Sequence, residues 1–349
     1  MSSQNHRIGF ASVIALIALL TIAFPLLLDP FRLNLIGKYL ALAFVAIGIV
    51  LTWGYGGILS LGQGVFFGVG GYLMAMFLKL EASAPELPDF MVWSSVETLP
   101  IWWTPFRSLG WTVLGIFILP AVVAYLFSYA IFRRRVSGVY FAIVTLSLAL
   151  TLTVVVVGQQ GDTGGANGIT DFRTVLGMDI LSDESLRVLY FIEVAFLAVA
   201  MFLALALVRT RFGKILIAIR DREDRVRFSG YDTAHMKAFV FACGAVLASV
   251  GGAFFTLQVG LISPSVIGVV ASVEMVIYAA VGGRLSIPGA VVGALLIGFL
   301  KSYLSETFPE AWLYFLGAVF ILVVWVMPNG LAGLKDQWQS RRTSARSVG

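Results

Sequence analysis

Residues 209–237 read RTRFGKILIAIRDREDRVRFSGYDTAHMK and form a charged island in an otherwise apolar chain. The island holds eight Lys or Arg residues and four Asp or Glu residues, and long apolar segments flank it on both sides. Charged side chains at membrane depth cost free energy, so a membrane protein keeps such a segment outside the bilayer. The island therefore indicates a docking surface on one face of a membrane.

The composition indicates an all-α, polytopic membrane protein. Hydrophobic residues make up 59% of the 349 residues, charged residues only 12%, and the mean hydropathy is +0.93. A soluble domain carries about 25% charged residues. The single cysteine, Cys243, excludes an intrachain disulfide. Nucleic acid is not an expected partner, because the net charge of +5 is distributed according to membrane sidedness.

Ten candidate spans can be counted in the sequence, since a helix needs about 20 apolar residues to cross the hydrocarbon core. Their approximate bounds are 8–28, 36–53, 58–78, 109–131, 137–157, 187–208, 238–257, 266–282, 288–305 and 312–328. The eighth and ninth spans are short and contain glycines, so they could be half-helices or a re-entrant hairpin, and we predict eight to ten helices. The first span lacks a clear signal-peptide cleavage site and is predicted to be retained.

The distribution of basic residues predicts the orientation of these spans. With the N-terminus inside, 17 of the 24 Lys and Arg residues fall in inner segments. The pattern predicts that both termini are cytoplasmic and that the charged island lies on the cytoplasmic face.

The motifs of common enzyme and metal sites are missing from the sequence. It contains neither a G-x-x-x-x-G-K-[ST] phosphate-binding loop nor a G-x-G-x-x-G turn after a strand. The chain has two histidines, His6 and His235, so a histidine-based metal site is not expected. Catalytic residues, a metal site and a resident cofactor are therefore not predicted.

Within the island, residues 214–229 are predicted to form an amphipathic surface helix that ends at Gly230. The residues expected on its apolar side are Ile215, Ile219, Val226 and Phe228. Such a helix could transmit a push from a cytoplasmic partner, or its basic face could bind anionic lipid. Composition alone does not separate these alternatives.

The stretch WGYGGILSLGQGVFFGVGGY at 53–72 is unusually rich in glycine. Gly64 and Gly68 form a Gly-x-x-x-Gly face, which lets helix backbones approach closely. Ser60 and Gln63 are three residues apart and share a helix face. That polar pair either lines a central pathway or makes incidental hydrogen bonds in a packed interface.

A weak internal repeat relates GYGGILSLGQGVFFG at 54–68 to AVGGRLSIPGAVVG at 280–293. The second copy contains Gly289 and Gly293, which are predicted to be a packing face. Parallel repeats of this kind occur in transporters. Chance similarity is the alternative, because glycine, leucine and serine are common in membrane helices.

Glu274 lies within the eighth predicted span, in SVEMVIYAAVGG. An ionisable residue at this depth needs a partner or water. We expect it to face a water-lined path, and pairing with Arg284 at the inner end is the alternative.

Two segments resemble signatures of the branched-chain amino acid family of ABC permeases. RFGKILIAIRDREDRVRFSGYDTAHMKAFVF at 211–241 resembles its cytoplasmic coupling loop, and GGILSLGQGVFFGVGGY at 56–72 resembles its second signature. Within the family, the chain is most similar to the urea-type permease. The segments that carry this finer resemblance are LPDFMVW at 87–93, GGANGITDF at 164–172, VGLISPSVIGVVASVEMVIYAAVGGR at 259–284 and KSYLSETFPEAWLYFLGAVFILVVWVMPNGLAGL at 301–334.

The chain departs from the urea-type pattern at two places. Gln63 stands where that subfamily usually has histidine, and Val266 stands where it usually has glutamate. Gln63 still donates and accepts hydrogen bonds, whereas Val266 cannot replace a carboxylate.

The resemblance implies a permease domain at 35–334, after an N-terminal helix and short outer turn at 1–34 and before a cytoplasmic tail at 335–349. It implies a bacterial inner-membrane importer with a second permease subunit, cytoplasmic ATPase subunits that bind ATP, and an external solute-binding protein. Membrane lipid is a further expected neighbour. The coupling residues it implies are Arg220, Asp221, Glu223, Asp224 and Gly230.

The solute pathway is predicted from polar side chains within apolar spans, not from the resemblance. Its candidate residues are Ser60, Gln63, Thr145, Ser147 and Glu274. Urea is the expected solute, and a branched-chain amino acid or a short amide is the alternative within the family. A passive urea channel is the alternative of another class, although a pore needs no charged docking helix.

Overall fold

The computed structural model describes residues 3–136, 138–172, 174–180, 182–326 and 330–333. The predicted tail at 335–349 and the last two residues of the tenth predicted span lie outside this part of the chain. The helices are α1 (Ser3–Ala18), α2 (Phe24–Leu27), α3 (Pro30–Ile49), α4 (Gln63–Ser83), α5 (Asp89–Trp93), α6 (Leu109–Arg133), α7 (Val139–Gly158), α8 (Gln160–Thr163), α9 (Asp183–Arg209), α10 (Arg211–Phe228), α11 (Thr233–Val259), α12 (Val269–Gly282), α13 (Ile287–Thr307) and α14 (Trp312–Val326).

Short irregular elements complete the described chain. A π-helical turn at Leu19–Ala23 joins α1 to α2, and a second one at Val50–Tyr55 extends α3. Single 3₁₀ turns occur at Thr104–Arg107 and Pro264–Val266. Strands β1 (Thr174–Val175) and β2 (Met178–Asp179) form a two-stranded antiparallel hairpin.

The predicted all-α, polytopic architecture is confirmed. Eight helical segments in the described residues are long and apolar enough to cross a membrane, and α12 is a shorter apolar helix. The eighth predicted span is short, as expected, whereas the ninth forms the 21-residue helix α13. The third span was predicted to start at residue 58, but α4 begins at Gln63 because residues 57–62 form a non-helical break. The cytoplasmic location of the termini stays a prediction.

Side-chain caps fix where four of the long helices begin. At each, an oxygen of the N-cap side chain accepts a hydrogen bond from the backbone N–H three residues later, which satisfies one of the free donors of the first turn. The capping residues are Ser182 of α9, Thr210 of α10, Asp232 of α11 and Ser286 of α13. The caps at Thr210 and Asp232 set off the charged helix α10 from the spans on either side.

Helices α3, α4 and α11 form the centre of the bundle, whereas the spans of α1, α6, α7 and α9 bury at most a third of their residues. An exposed apolar surface of this extent is expected of helices in contact with lipid. Close approach in the centre depends on small residues. A Cβ on Gly252 of α11, for example, would lie 1.8 Å from the Phe67 carbonyl oxygen of α4.

The four glycines predicted to pack lie at contacts between helices. A Cβ on Gly64 would lie 2.6 Å from Ser272 Oγ, and one on Gly68 would lie 2.3 Å from the Ile267 side chain. Gly289 and Gly293 lie against α12, where an added Cβ would lie 2.4 Å from the Gly282 carbonyl oxygen and 2.3 Å from that of Tyr278, respectively.

The two segments of the weak repeat meet each other at one end of the bundle. A Cβ on Gly54 would lie 1.7 Å from the Arg284 carbonyl oxygen, and the Tyr55 hydroxyl donates a 2.8 Å hydrogen bond to the carbonyl of Leu285. Each segment joins a helix to the start of the next, α4 in one case and α13 in the other. The breaks that begin α4 and α13 are therefore in direct contact, while the repeat itself stays a prediction.

Candidate functional site

The charged helix α10 begins three residues before the predicted start and is interrupted at Arg222, whose φ of −152° and ψ of 79° are not helical. Leu216, Ile219 and Val226 are buried against the rest of the protein. Phe228 was expected on the apolar side, but it is 93% exposed. Phe228 is two residues from buried Val226, about 200° around the helix, so its side chain lies on the opposite side of the last turn.

Arg220 anchors α10 to the π-helical turn that extends α3. Its Nη1 donates a 2.8 Å hydrogen bond to the Gly54 carbonyl, and its Nε pairs with Asp221 Oδ1 at 3.0 Å. The backbone of Gly57, with φ +70°, is so close that a Cβ there would lie 2.8 Å from Arg220 Cγ. The last carbonyls of a helix need external donors, and Arg220 supplies one. The residue predicted to contact a partner is thus bonded within its own chain.

Glu223 ties α10 to the start of α11. Its carboxylate accepts hydrogen bonds from Lys237 Nζ at 2.6 Å, Arg227 Nη2 at 3.0 Å and Thr233 Oγ1 at 3.1 Å. Burial alone would raise the pKa of this carboxyl, but the hydrogen bond and charge of Lys237, together with Thr233 and Arg227, outweigh burial and lower the pKa below its ordinary value. Glu223 is therefore a charged residue that holds α10 to the start of α11.

The other two acidic residues predicted for coupling face outward. The side chains of Asp221 and Asp224 are 60% and 87% exposed. Gly230 has φ +89° and lies just beyond the end of α10, where that conformation favours glycine. The surface that α10 offers a partner therefore combines Asp221, Asp224 and the exposed ring of Phe228.

Three of the five predicted pathway residues come together at the start of α4. Ser60, Gln63 and Thr145 are 3%, 1% and 1% exposed. Thr145 Oγ1 accepts a 3.1 Å hydrogen bond from the Leu61 N–H, and Ser60 Oγ accepts one of 3.3 Å from the Gly62 N–H. These side chains hold the non-helical break against α7.

The side-chain amide of Gln63 is buried without a hydrogen-bond partner for Oε1 or Nε2 among the described residues. The neighbouring N–H of Gly64 donates to Ser272 Oγ of α12 at 3.2 Å, so α4, α7 and α12 all meet near this point. Leaving a buried polar group unpaired costs about 1–3 kcal/mol. The amide therefore keeps its hydrogen-bonding capacity for a molecule that reaches it, and its place in a solute pathway stays a prediction.

The structure does not bring Ser147 to this cluster. Ser147 lies on an exposed face of α7 and donates a 3.0 Å hydrogen bond to the Ile143 carbonyl of the same helix.

Glu274 lies away from this cluster in the lining of a cavity of about 420 Å³. None of the other four predicted pathway residues lines that cavity. The Oε2 atom of Glu274 accepts hydrogen bonds from Lys301 Nζ at 2.7 Å and from the Tyr278 hydroxyl at 3.4 Å. The alternative pairing with Arg284 is wrong, because Lys301 of α13 is the partner.

Sequence reasoning missed Ser272, Lys301 and Lys38, the last of which lines the same cavity as Glu274. A signal for the two lysines was available, since both fall inside predicted spans at 36–53 and 288–305. Ser272 carried no signal of its own.

The loop segments at the end of the bundle opposite α10 contact one another. Ile169 and Ile262 pair as an isolated antiparallel bridge, which joins the segment 164–172 to the chain after α11. Trp103 Nε1 donates a 3.1 Å hydrogen bond to the Asp162 carbonyl of α8. Partial burial raises the pKa of the Asp162 carboxyl above its ordinary value.

Comparison with known proteins decides the family. The family model described as "Branched-chain amino acid transport system / permease component" matches residues 31–324, most of the chain. This chain belongs to that permease family. The family match covers the charged helix α10, the start of α4 and the cavity around Glu274.

Sequence similarity to individual permeases supports this family membership. The chain is 24% identical over 336 residues to the high-affinity branched-chain amino acid transport system permease protein LivM of Escherichia coli (strain K12), covering 89% of this chain and 72% of LivM. It is also 24% identical to the permease protein BraD of Pseudomonas aeruginosa, covering 83% and 91%. The ribose import permease protein RbsC of Haemophilus influenzae is 23% identical, covering 95% and 98%. No solved structure matches the chain.

Proposed function

We propose that this permease is the membrane subunit through which a bacterial ABC importer moves urea across the inner membrane. The observation that carries the proposal is the buried, unpartnered amide of Gln63. Urea is an uncharged diamide, so its carbonyl can accept from Nε2 while one of its N–H groups donates to Oε1. A site that needs only hydrogen bonds suits this solute.

The surroundings of Gln63 support a neutral solute. The neighbouring polar groups are the hydroxyls of Ser60, Thr145 and Ser272, which carry no charge. The Glu274–Lys301 ion pair lines a cavity whose lining does not include Gln63. A zwitterionic solute would need countercharges, and the cluster around Gln63 offers none.

The segments that carry the resemblance to the urea-type permease also support the proposal, because they are linked in space. The segment 164–172 pairs with 259–284 through Ile169 and Ile262. The segment 259–284 is joined to 301–334 through Glu274 and Lys301.

Energy would come from ATP hydrolysis on separate subunits, which is the division of labour that the family resemblance implies. In this arrangement a cytoplasmic ATPase binds the exposed side of α10. Arg220 and Glu223 then transmit the movement of the ATPase to α3 and α11. A second permease subunit and an external solute-binding protein complete the proposed assembly.

A branched-chain amino acid is the second candidate solute. It is favoured by the names of LivM and BraD, whose sequences align with most of this chain. The urea and amino acid proposals share the same assembly and differ only in the solute.

Uptake measurements separate these candidates. We expect a strain that lacks this chain to lose uptake of labelled urea, to keep leucine uptake, and to recover when the chain is restored. Lost leucine uptake with unchanged urea uptake would replace the first candidate by the second. Urea uptake that survives ATP depletion would instead indicate a passive channel.

A further inference from the structure

The lining of the cavity around Glu274 includes charged and hydroxyl groups. They come from α3, α12 and α13, and include Lys38, Glu274, Lys301 and Ser302. The Tyr39 hydroxyl donates a 2.5 Å hydrogen bond to Ser302 Oγ, which leaves the Ser302 hydroxyl hydrogen free for another acceptor. The volume of about 420 Å³ leaves room for a polar group much larger than water.

The charges in this cavity do not balance. Glu274 is paired with Lys301 at 2.7 Å. Lys38 is half-buried in α3, lines the same cavity as Lys301, and has no carboxylate within ion-pair distance among the described residues. The cavity lining therefore carries two cations and one anion, and the nearby carboxylate of Glu306 in α13 is exposed and does not line the cavity. An ammonium group within membrane-spanning helices is costly unless it is paired or hydrated.

The cavity lies at the end of the bundle opposite α10. Lys38 precedes Gly54, the contact of Arg220, by 16 residues of near-continuous helix, or about 24 Å along the axis. Lys301 is 14 residues beyond the start of α13 at Ile287, or about 21 Å along that helix. Both lysines are therefore near the membrane surface opposite α10. At this depth a flexible lysine side chain can extend its ammonium group to the membrane interface.

Aromatic side chains line the cavity as well. Phe67, Phe255 and Trp312 line it, and Lys301 Nζ lies 4.9 Å from the centre of the Trp312 ring. Outside the cavity, Phe299 and Tyr303 of α13 are 65% and 58% exposed. An apolar chain attached to an anion could therefore continue from the cavity onto the outer surface of α13.

We propose that this cavity binds the phosphodiester headgroup of an acidic phospholipid, with Lys38 as the principal contact. The negatively charged oxygens would compensate Lys38 and accept from the Ser302 hydroxyl, while an acyl chain would lie along Phe299 and Tyr303. The amphiphilic lining favours a lipid over inorganic phosphate, which has no apolar part. This proposal does not depend on the identity of the transported solute.

Lipid binding can be measured on the purified full-length chain. Native mass spectrometry would be used to titrate it with phosphatidylglycerol, which is acidic, and with phosphatidylcholine, which has no net charge. We expect preferential binding of phosphatidylglycerol and a loss of about tenfold in its affinity for Lys38→Gln, as for a hydrogen bond to a charged group. Lys38→Arg keeps the charge and should retain the preference for phosphatidylglycerol. If the glutamine variant does not fold, the arginine variant still tests whether a positive charge at position 38 maintains that preference.

Arg107→Gln is the matched control, because it removes one exposed basic residue that does not line the cavity. It should bind phosphatidylglycerol as the unmodified chain does. Equal binding of both lipids, an unchanged Lys38→Gln variant, or an equal loss in Arg107→Gln would overturn the proposal. Displacement of the lipid by leucine or by inorganic phosphate would overturn it as well, since the cavity would then be a solute or free-anion site.

Discussion

At the scale of single residues, the described chain satisfies most of its buried polar side chains internally, and Gln63 is a clear exception. The hydroxyls of Thr145 and Ser60 are bonded to the backbone around it, but neither atom of its amide is. Two unpaired groups together cost about 2–6 kcal/mol. A permease can tolerate this cost where a passing solute or water makes the missing bonds.

Gln63 provides the most direct test of the pathway at this scale. Gln63→Leu should reduce solute uptake at least about tenfold, since it removes hydrogen bonds worth about 1–1.5 kcal/mol each. Gln63→His should retain most uptake, because imidazole both donates and accepts. Ser147→Ala is the control and should transport normally. A fully active leucine variant, shown to be inserted at normal levels, would remove Gln63 from the pathway.

Glu223 predicts a pH dependence. Because its folded pKa is lowered, its contribution to stability is present above the unfolded value of about 4.3 and is lost as the pH falls through the folded value. The thermal midpoint of the purified chain should exceed that of Glu223→Gln at pH 7, and the difference should shrink as the pH falls below about 4. A difference that stays constant from pH 7 to pH 3 would contradict this assignment.

At the scale of elements, α10 has an inner side that packs against the bundle and an outer side that is exposed, and its role in coupling stays a prediction. Its inner side is fixed by Arg220 to α3 and by Glu223 to α11, and its outer side presents Asp224 and Phe228. The two sides predict different defects. Arg220→Gln should leave ATPase association intact and lower solute transport per ATP hydrolysed, whereas Asp224→Lys should weaken association itself.

Co-purification of the ATPase and transport by the reconstituted complex would measure these two defects separately. If both variants lose the ATPase equally, Arg220 is a partner contact as the sequence alone suggested, and its bond to the Gly54 carbonyl does not determine coupling.

Helix packing yields a second prediction at this scale. Gly293→Ala would place a Cβ 2.3 Å from the Tyr278 carbonyl oxygen, and forcing α12 and α13 apart should cost about 1–3 kcal/mol of stability. Gly158→Ala is the matched control, because a Cβ there meets nothing within 4 Å. Denaturation in detergent should show a lower midpoint for the first variant only. Equal midpoints for the two variants would mean that α12 and α13 can move apart without a loss of stability.

At the scale of the whole molecule, apolar runs and charge sidedness were enough to predict an all-α bundle. They also located the charged helix, because a run of Arg, Asp and Glu between two spans has no stable place in lipid. The sequence did not reveal which polar residues share a site. Glu274 and Gln63 were assigned to one pathway; Glu274 lines a cavity whose lining omits Gln63 and pairs with Lys301 of α13, and the shared pathway stays a prediction.

The partners that the sequence did not reveal were missed for a physical reason. Polar residues in spans signal that a partner exists, and the identity of the partner depends on helix contacts between residues far apart in sequence. Lys301 lies 27 residues from Glu274, and Ser272 lies 208 residues from Gly64. Such pairings follow from how glycines let specific helices approach, which periodicity within a single span does not encode.

The central claim is that α10 faces the compartment where ATP is hydrolysed. It is tested most directly by labelling a cysteine placed at exposed Ser229, in a chain in which Cys243 is replaced by alanine. A membrane-impermeant thiol reagent should leave Ser229→Cys unlabelled in intact cells and should label it once the cytoplasmic face is opened. Labelling of intact cells from outside would place α10 on the wrong side of the membrane for an ATP-driven importer.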